Sequence, residues 1–357
     1  MGKRRFVYFD MLSIVATLAV VFLHCNGIVH WGPQTPHWSQ ALLVEVLFYW
    51  AVPVFFMCSG AKTMGYRDRK STKDFLVSRL KGIFFPFLVW SVFQYCIKVW
   101  GVLNPVPEGW APSLGHFLTV FMNAQIDGTY WFFFAMLAVV LSMPVLSRLR
   151  DYTGTLWYLV GGYVMLSGVF VPAAKLFGIP WNSSIGLAVA GGYVMYTVLG
   201  YLLANDDSGI FERSKNRCVL YAAAAAALFV RYAYTWVSSQ GKGVVDTALF
   251  DYNYITALLP SVAVFVWFKT VDWGRLFERL HIGTGFIQQV SSCTFGVYLM
   301  HNFLLSEVFV GLLSWDMVSY RVRLVLPWII FLLGLGVSYV LNRVPAVRNA
   351  VGGWRYR

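Results

Sequence analysis

Ten apolar stretches, each about 20 residues long, constrain this chain more than any other feature of its sequence. A helix needs roughly 20 mostly apolar residues to cross the hydrocarbon core of a bilayer. Inside that core only helices and closed barrels satisfy every backbone hydrogen bond. The sequence therefore predicts an all-α polytopic transmembrane helix bundle. The ten predicted spans are residues 6–28, 41–61, 80–101, 130–147, 155–174, 186–204, 218–239, 252–271, 289–311 and 324–342.

Charged residues are too rare to coat a soluble surface. Only 12% of the 357 residues are charged and 58% are hydrophobic, whereas soluble domains contain about 25% charged residues. The first stretch follows basic residues as a signal peptide would, but the bulky segment HCNGIVHWGPQ stands where small residues would mark a cleavage site. We therefore expect a retained first span and a single membrane domain over residues 1–357. The five cysteines include no CxxC pair, so neither a metal site nor a disulfide framework is expected.

The basic residues predict the orientation of the bundle. If the N-terminus is inside, 22 of the 28 lysines and arginines lie in cytosolic segments. Such a bias is the positive-inside signature and predicts that both termini are cytosolic. It also accounts for the net charge of +12, so no nucleic-acid partner is expected. The exceptions are Lys98, Lys175, Arg231, Lys242, Arg321 and Arg323.

The first span carries one narrow polar stripe. Successive residues of an α-helix are rotated by about 100°, which places Asp10, Ser13, Thr17 and His24 within about 60° of one another. Ionisable groups are costly against lipid, so this stripe is expected to face the interior of the bundle. At about 1.5 Å per residue, Asp10 and His24 are roughly 21 Å apart along the axis. Asp10 is therefore expected near the cytosolic face and His24 in the outer half.

Other polar residues in the spans are candidates for the same site. Glu45 lies at about the depth of His24 on the second span, where it either pairs with the imidazole or ends in headgroup water. Arg231, inside the seventh span, marks a functional site, forms a structural ion pair, or snorkels to the outer interface.

The ninth span carries TFGVYLMHNF. Tyr298 and His301 share one of its faces, whereas Glu307 points about 120° away from His301 and is the poorer partner.

Five segments, in order along the chain, resemble the membrane acyltransferase-3 family. RRFVYFDMLSIVATLAVVFLH resembles its first helix, and VPVFFMCSG resembles the end of its second. FLVSRLKGIFFPFLVW resembles its basic third-helix entry, and GTYWFFFAMLAVVLSMPVL its fourth helix. TFGVYLMH resembles a late Tyr-Leu-x-His segment. Each motif alone is weak, but the ordered set extends over most of the chain.

The resemblance implies an activity and a set of site residues. The family moves acyl groups, usually acetyl, from cytosolic acyl-CoA to hydroxyls of extracytoplasmic glycans or related acceptors. It implies acetyl-CoA as donor, a glycan or lipid-linked sugar as acceptor, and a bacterial cytoplasmic membrane. His24 would be the catalytic histidine. The other family positions are occupied by Asp10, Ser59, Arg79, Trp131, Tyr298 and His301.

Two positions depart from the family pattern. Many members have an arginine at the place of Ser13, and a second one at the place of Gly82, three residues after Arg79. Both missing groups are cations that the family uses near the acyl donor. Three explanations stay open: a different donor, an altered activity, or replacement by other cations, namely Lys62, Lys81 and Arg231.

Acyl transfer to an alcohol assigns a role to each candidate. A base must take the hydroxyl proton, and imidazole suits this because its pKa is near neutrality. The oxyanion needs hydrogen-bond donors or a cation, which Arg231, Tyr298 or His301 would provide. Lys62, Arg79 and Lys81 would bind the phosphates of CoA at the inner mouth. The alternative is a membrane transporter that exports a glycan or small solute along the same polar interior without covalent chemistry.

Overall fold

The computed structural model describes residues 7–182, 184–187, 191–206, 208–345 and 347–351. Predicted cytosolic cations at both termini, Lys3, Arg4, Arg5, Arg355 and Arg357, lie outside these ranges. The described residues form helices and loops, without any strand. The α-helices are α1 (Val7–Cys25), α2 (Trp38–Phe48), α3 (Ala51–Thr63), α4 (Thr72–Arg79), α5 (Phe85–Val99), α6 (Leu114–Met122), α7 (Trp131–Leu146), α8 (Thr153–Tyr163), α9 (Val171–Leu176), α10 (Tyr193–Ala204), α11 (Ser214–Lys242), α12 (Ile255–Thr270), α13 (Trp273–Leu280), α14 (Thr284–Phe303) and α15 (Leu326–Arg343).

Several of these helices join into longer rods. A π-helical segment, Leu80–Phe84, links α4 to α5, and another, Val164–Phe170, links α8 to α9. The segment Leu304–Leu312 extends α14, and Arg321–Val325 leads into α15. α2 and α3 form one apolar stretch, Trp38–Asp68, with a break after Phe48. Pro53 has no N–H to donate one turn back, which weakens the helix at that break.

The prediction of an all-α polytopic membrane protein is confirmed. Eight of the described helices are long and apolar enough to cross a membrane, and the pair α12 and α13, bent by 66°, makes a ninth if counted as one span. The predicted span 186–204 corresponds to the short helix α10, and its residues 188–190 lie outside the described ranges. The count of ten spans and the cytosolic placement of the termini stay predictions.

Two glycines allow α3 and α10 to pack backbone against backbone. A Cβ atom on Gly60 would lie 1.8 Å from the carbonyl oxygen of Thr197. One on Gly200 would lie 2.2 Å from the carbonyl oxygen of Met57. Neither position has room for a side chain, which gives the Gly60 of VPVFFMCSG a structural reason: small residues let membrane helices approach closely.

Basic segments meet at one end of the bundle, called here the basic end. Arg67 donates to the hydroxyl of Ser147 at 2.8 Å, and Arg150 pairs with Asp68. Lys269 donates to the last turn of α10 at 2.6 Å. These contacts bring together the ends of α3, α7, α10 and α12. The start of α1 lies at the same end, because Nζ of Lys62 in the last turn of α3 lies 4.8 Å from the ring centroid of Phe9.

A second group of polar contacts closes the opposite end. Lys98 forms an ion pair with Glu307 at 3.1 Å, and Asn104 donates to Glu307 at 2.7 Å. Arg323 donates to the side chain of Asn26 at 3.1 Å, directly after α1. The long loop between α5 and α7 is therefore anchored on the extension of α14. The carboxylate of Glu307 is engaged by this loop, as its orientation away from His301 predicts.

Candidate active site

The polar stripe of α1 faces the neighbouring helices. Asp10 and Thr17 are buried, and Ser13 and His24 are half-buried. Ser13 donates to the carbonyl of Phe9 at 2.8 Å and Thr17 to that of Ser13 at 2.7 Å, so each hydroxyl is satisfied within its own helix. Asp10 accepts a hydrogen bond from Ser291 of α14 at 2.8 Å. Asp10 thus fastens α1 to α14 at the basic end.

A cavity of about 150 Å³ opens beside the middle of this stripe. We call it the cation-lined cavity. Its polar lining comes from α1, α3, α4 and α14, and comprises Ser13, Thr17, Ser59, Lys62, Arg79, Thr294 and Tyr298. The rest of its wall is apolar or weakly polar: Phe55, Cys58, Ile83, Phe132, Phe133, Met136 and Phe295. Five residues that the sequence proposed for the site, from regions far apart in the chain, therefore line one space.

Aromatic rings hold the two cations of the cavity. Nζ of Lys62 lies 4.8 Å from the ring centroid of Phe9, and the guanidinium carbon of Arg79 lies 5.4 Å from that of Phe75. Such contacts restrain a cation over an aromatic face. Lys81 is exposed and is not among the described lining residues.

The second departure from the family pattern lies beside this cavity. Gly82 is buried in the π-helical segment between two lining residues, Arg79 and Ile83. A Cβ atom on Gly82 would have no heavy atom within 4 Å. The backbone there has room for a longer side chain.

Two histidines meet near the other end of α1. The ring centroids of His24 and His301 are 5.1 Å apart. Nδ1 of His301 lies 2.7 Å from the carbonyl oxygen of Tyr298. A carbonyl can only accept, so Nδ1 carries the proton and Nε2 keeps its lone pair. Nε2 is buried and has no hydrogen-bond partner among the described residues. We refer to His24 and His301 as the histidine pair.

Tyr298 connects the cation-lined cavity to the histidine pair. Its side chain lines the cavity, its ring centroid is 5.3 Å from that of His301, and its carbonyl holds the ring of His301. On α1, Thr17 and His24 are seven residues apart, about 10 Å along the axis. A small group in the cavity therefore lies roughly two helical turns from the histidine pair.

Comparison with known proteins gives this geometry a family. A model described as an acyltransferase domain matches residues 6–343, which is essentially the whole chain. The chain belongs to the acyltransferase-3 family. It is therefore a membrane acyltransferase. A search of curated proteins finds no match.

Arg231 and Glu45 lie elsewhere in the acyltransferase. The guanidinium carbon of Arg231 is 3.6 Å from the ring centroid of Tyr49 and 4.4 Å from that of Phe250. Arg231 is fully buried within the protein, which disfavours the snorkelling alternative. The charge that acts on the buried Glu45 is that of Arg231. No hydrogen bond or ion pair between Glu45 and His24 occurs in the described part of the chain.

Trp131 belongs to the same aromatic cluster as Arg231. Its ring centroid lies 5.6 Å from that of Tyr193 and 5.9 Å from that of Tyr252. Tyr252 in turn stacks on Tyr49 at 4.1 Å. Trp131 is not among the described residues that line the cation-lined cavity. The family position of Trp131 therefore does not place it with Lys62 and Arg79.

The structure adds a buried carboxylate that the sequence interpretation left without a role in the site. Asp127 accepts hydrogen bonds from the backbone and the hydroxyl of Thr129 and, at 2.8 Å, from Asn302. Gln94 donates to Asp127 at 3.4 Å and to Tyr130 at 2.6 Å. The signal available in the sequence was a carboxylate directly before GTYWFFF, where a span begins.

Proposed function

We propose that this acyltransferase transfers an acetyl group from acetyl-CoA to a hydroxyl of an extracytoplasmic glycan or lipid-linked sugar, with His24 as general base. One observation carries the proposal: a cavity with two cations is joined through Tyr298 to a pair of imidazoles. The cations suit a phosphate-bearing donor, and the imidazoles suit proton transfer.

The size and charge of the cavity support a CoA thioester as donor. A volume of about 150 Å³ is roughly ten times the 10–15 Å³ that one water needs on the same measure. That space accommodates part of the pantetheine arm, which extends past Tyr298 and places the thioester at the histidine pair, while the nucleotide stays outside near the basic end. Lys62 and Arg79 then face the phosphates, and the exposed Lys81 contributes at the mouth. In this arrangement Asp10 anchors α1, and Ser13 and Ser59 face the donor.

The tautomer of His301 refines the assignment of roles. The lone pair on Nε2 cannot donate to an oxyanion, so the phenol of Tyr298 takes that task and His301 acts as a second acceptor. The acceptor hydroxyl lies between the two imidazoles. His24 removes its proton as the new C–O bond forms. The C–S bond then breaks, and the imidazolium of His24 returns the proton to the departing thiolate of CoA.

The transporter alternative has less support. Family membership favours acyl transfer, and the donor cavity has a cationic lining that a neutral glycan does not require. Transport predicts movement of an unmodified acceptor across a vesicle membrane. The enzyme predicts release of CoA.

The test combines binding with turnover of acetyl-CoA by purified protein in nanodiscs. Wild type should bind acetyl-CoA by calorimetry and release CoA when acceptor is present. His24→Ala should keep the affinity and lose about 10²- to 10⁴-fold in CoA release, the contribution typical of a general base. His37→Ala is the control, because His37 is exposed and pairs with Tyr320. CoA release by His24→Ala at the wild-type rate, or transport of unmodified acceptor without CoA release, would overturn the proposal.

A further inference from the structure

We infer that Asp127 is a positioning residue for His301, acting through Asn302 and Tyr130. The inference rests on the proposed function in one respect: it gives His301 a part in the reaction. Its structural content is independent of that, because it concerns how one turn of α14 is held.

The contacts of Asp127 are those of an ionised carboxylate. Every polar group that contacts it in the described structure is a donor: the backbone N–H of Thr129 at 2.9 Å, the hydroxyl of Thr129 at 2.8 Å and the amide of Asn302 at 2.8 Å. Gln94 adds a longer contact at 3.4 Å. The side chain is buried. Burying a carboxylate without partners is costly, so these donors fix its place firmly.

Asp127 makes one of the two bonds that hold the turn carrying His301, and Tyr130, linked to Asp127 through Gln94, makes the other. Asn302 is the residue after His301 in the chain and donates to Asp127. Tyr130, three residues after Asp127, donates to the carbonyl of Leu299 at 2.9 Å. The segment before α7 therefore holds α14 on both sides of His301.

The turn needs this support because the helix changes type directly after it. α14 ends at Phe303 and continues as the π-helical segment Leu304–Leu312. π-Helical turns are rare and occur mostly where function maintains them. The bond from Nδ1 of His301 to the carbonyl of Tyr298, one turn back, requires a regular α turn. If that turn loosens, the ring is free to take the other tautomer, and Nε2 is no longer an obligate acceptor.

The experiment reads the tautomer of His301 directly by solid-state NMR. Protein labelled with ¹⁵N-histidine is reconstituted in lipid bilayers, and the His301 signals are assigned by their loss in His301→Gln. Wild type should show a single form with Nδ1 protonated. Asp127→Ala and Asn302→Ala should each show a mixture of tautomers. Asp127→Asn, whose side-chain oxygen still accepts from Asn302, should stay close to wild type. Glu307→Ala is the matched control, since Glu307 anchors the same loop but binds Lys98 and Asn104.

Kinetics supply the second readout. Asp127→Ala and Asn302→Ala should each lower kcat about tenfold with an unchanged KM for acetyl-CoA. The double variant should have a kcat no lower than either single variant, because the effects of substitutions within one network are not additive. A single Nδ1-protonated form in Asp127→Ala, or the same mixture in Glu307→Ala, would overturn the inference. A mixture in a protein that never releases CoA would support the positioning role and count against the proposed reaction. Asp127→Asn and Asn302→Ala keep the test decisive if Asp127→Ala does not fold.

Discussion

The cation-lined cavity and the histidine pair lie about two helical turns apart on α1 and differ in almost every physical property. The cavity is open, and its two positive side chains each lie over an aromatic ring. In the histidine pair His24 is half-buried and His301 is buried, and His301 is fixed by a backbone carbonyl and flanked by the buried Asp127 network. Cations in an open cavity suit a polyanionic ligand that must enter and leave. A fixed imidazole suits a reaction that depends on orientation.

This difference predicts that the two regions control different kinetic constants. Interactions made equally with bound donor and transition state change KM, whereas interactions made only in the transition state change kcat. Substitutions in the cavity should therefore act on KM for acetyl-CoA. Substitutions at the histidine pair should act on kcat.

The largest effect is expected at the histidine pair itself. His24→Ala should lower kcat by about 10²- to 10⁴-fold, His301→Ala by less, and the double variant by no more than His24→Ala, because groups that act as a unit are not additive. KM for acetyl-CoA should change less than twofold in all three. Steady-state CoA release measures both constants. Additive losses would show that the histidines work independently, and a raised KM would place donor binding at the pair.

Removing the cations of the cavity should raise KM for acetyl-CoA and leave kcat nearly unchanged. Arg79→Ala removes a side chain suited to paired hydrogen bonds with phosphate. A hydrogen bond to a charged group contributes about 1.5–3 kcal/mol, so its loss should raise KM about 10- to 100-fold. Lys62→Ala should raise it about tenfold, and kcat should stay within about threefold in both. Lys73→Ala is the control, since Lys73 is exposed on α4 away from the lining residues. A fall in kcat with constant KM would break the division between the two regions.

The sequence predicted the residues of the cation-lined cavity better than it predicted the contacts around the histidine pair. Ser13 and Thr17 follow from helical periodicity, and the family resemblance supplied Ser59, Arg79 and Tyr298. Helical periodicity relates residues within a single helix, so it is sufficient to predict the polar stripe of α1. The link between Glu45 and Arg231 depends on the relative rotation of α2 and α11, which periodicity does not specify.

Asp127 and the two helix-packing glycines show the same limit. Asp127 acquires its partners from α5 and α14, and Gly60 requires the backbone of α10. None of these contacts is local in sequence. The missing arginine at position 82 is a third example: the sequence shows that it is absent, and only the structure shows that a Cβ atom at this position would meet no neighbour within 4 Å.

Introducing the family's arginine at position 82 should strengthen the contrast between the cation-lined cavity and the histidine pair, with a smaller effect than the substitutions above. Gly82→Arg adds a guanidinium beside Arg79 at a position with open space, so we expect KM for acetyl-CoA to fall about three- to tenfold with unchanged kcat. Gly82→Gln, similar in length and uncharged, is the matched control. Calorimetry of acetyl-CoA binding checks both variants. An equal gain in Gly82→Gln would attribute the effect to helix propensity rather than to charge.

The smallest effect is on stability and concerns Asp246, which belongs to neither the cation-lined cavity nor the histidine pair. Asp246 follows α11 at the end of the bundle opposite the basic end. Burial opposes its ionisation, but hydrogen bonds from Lys242 and Ser238 outweigh burial and lower the pKa of Asp246 to about 2, from an ordinary value of 3.8. A carboxyl whose pKa is lower in the folded state stabilises the protein above about pH 4. That contribution is lost as the pH falls from about 4 to 2.

Thermal unfolding in nanodiscs should therefore show no contribution from Asp246 to the pH dependence of the unfolding temperature between pH 5 and 8. Below pH 4 the unfolding temperature should decline, and the decline should be shallower in Asp246→Asn than in wild type. The variant should be less stable than wild type at pH 7, because Lys242 loses its ion pair at 2.7 Å. Its profile of CoA release between pH 5 and 8 should keep the wild-type shape, since Asp246 stays ionised throughout that range. A shifted activity profile in Asp246→Asn would mean that the end of α11 is coupled to the histidine pair, and the separation of stability from chemistry would fail.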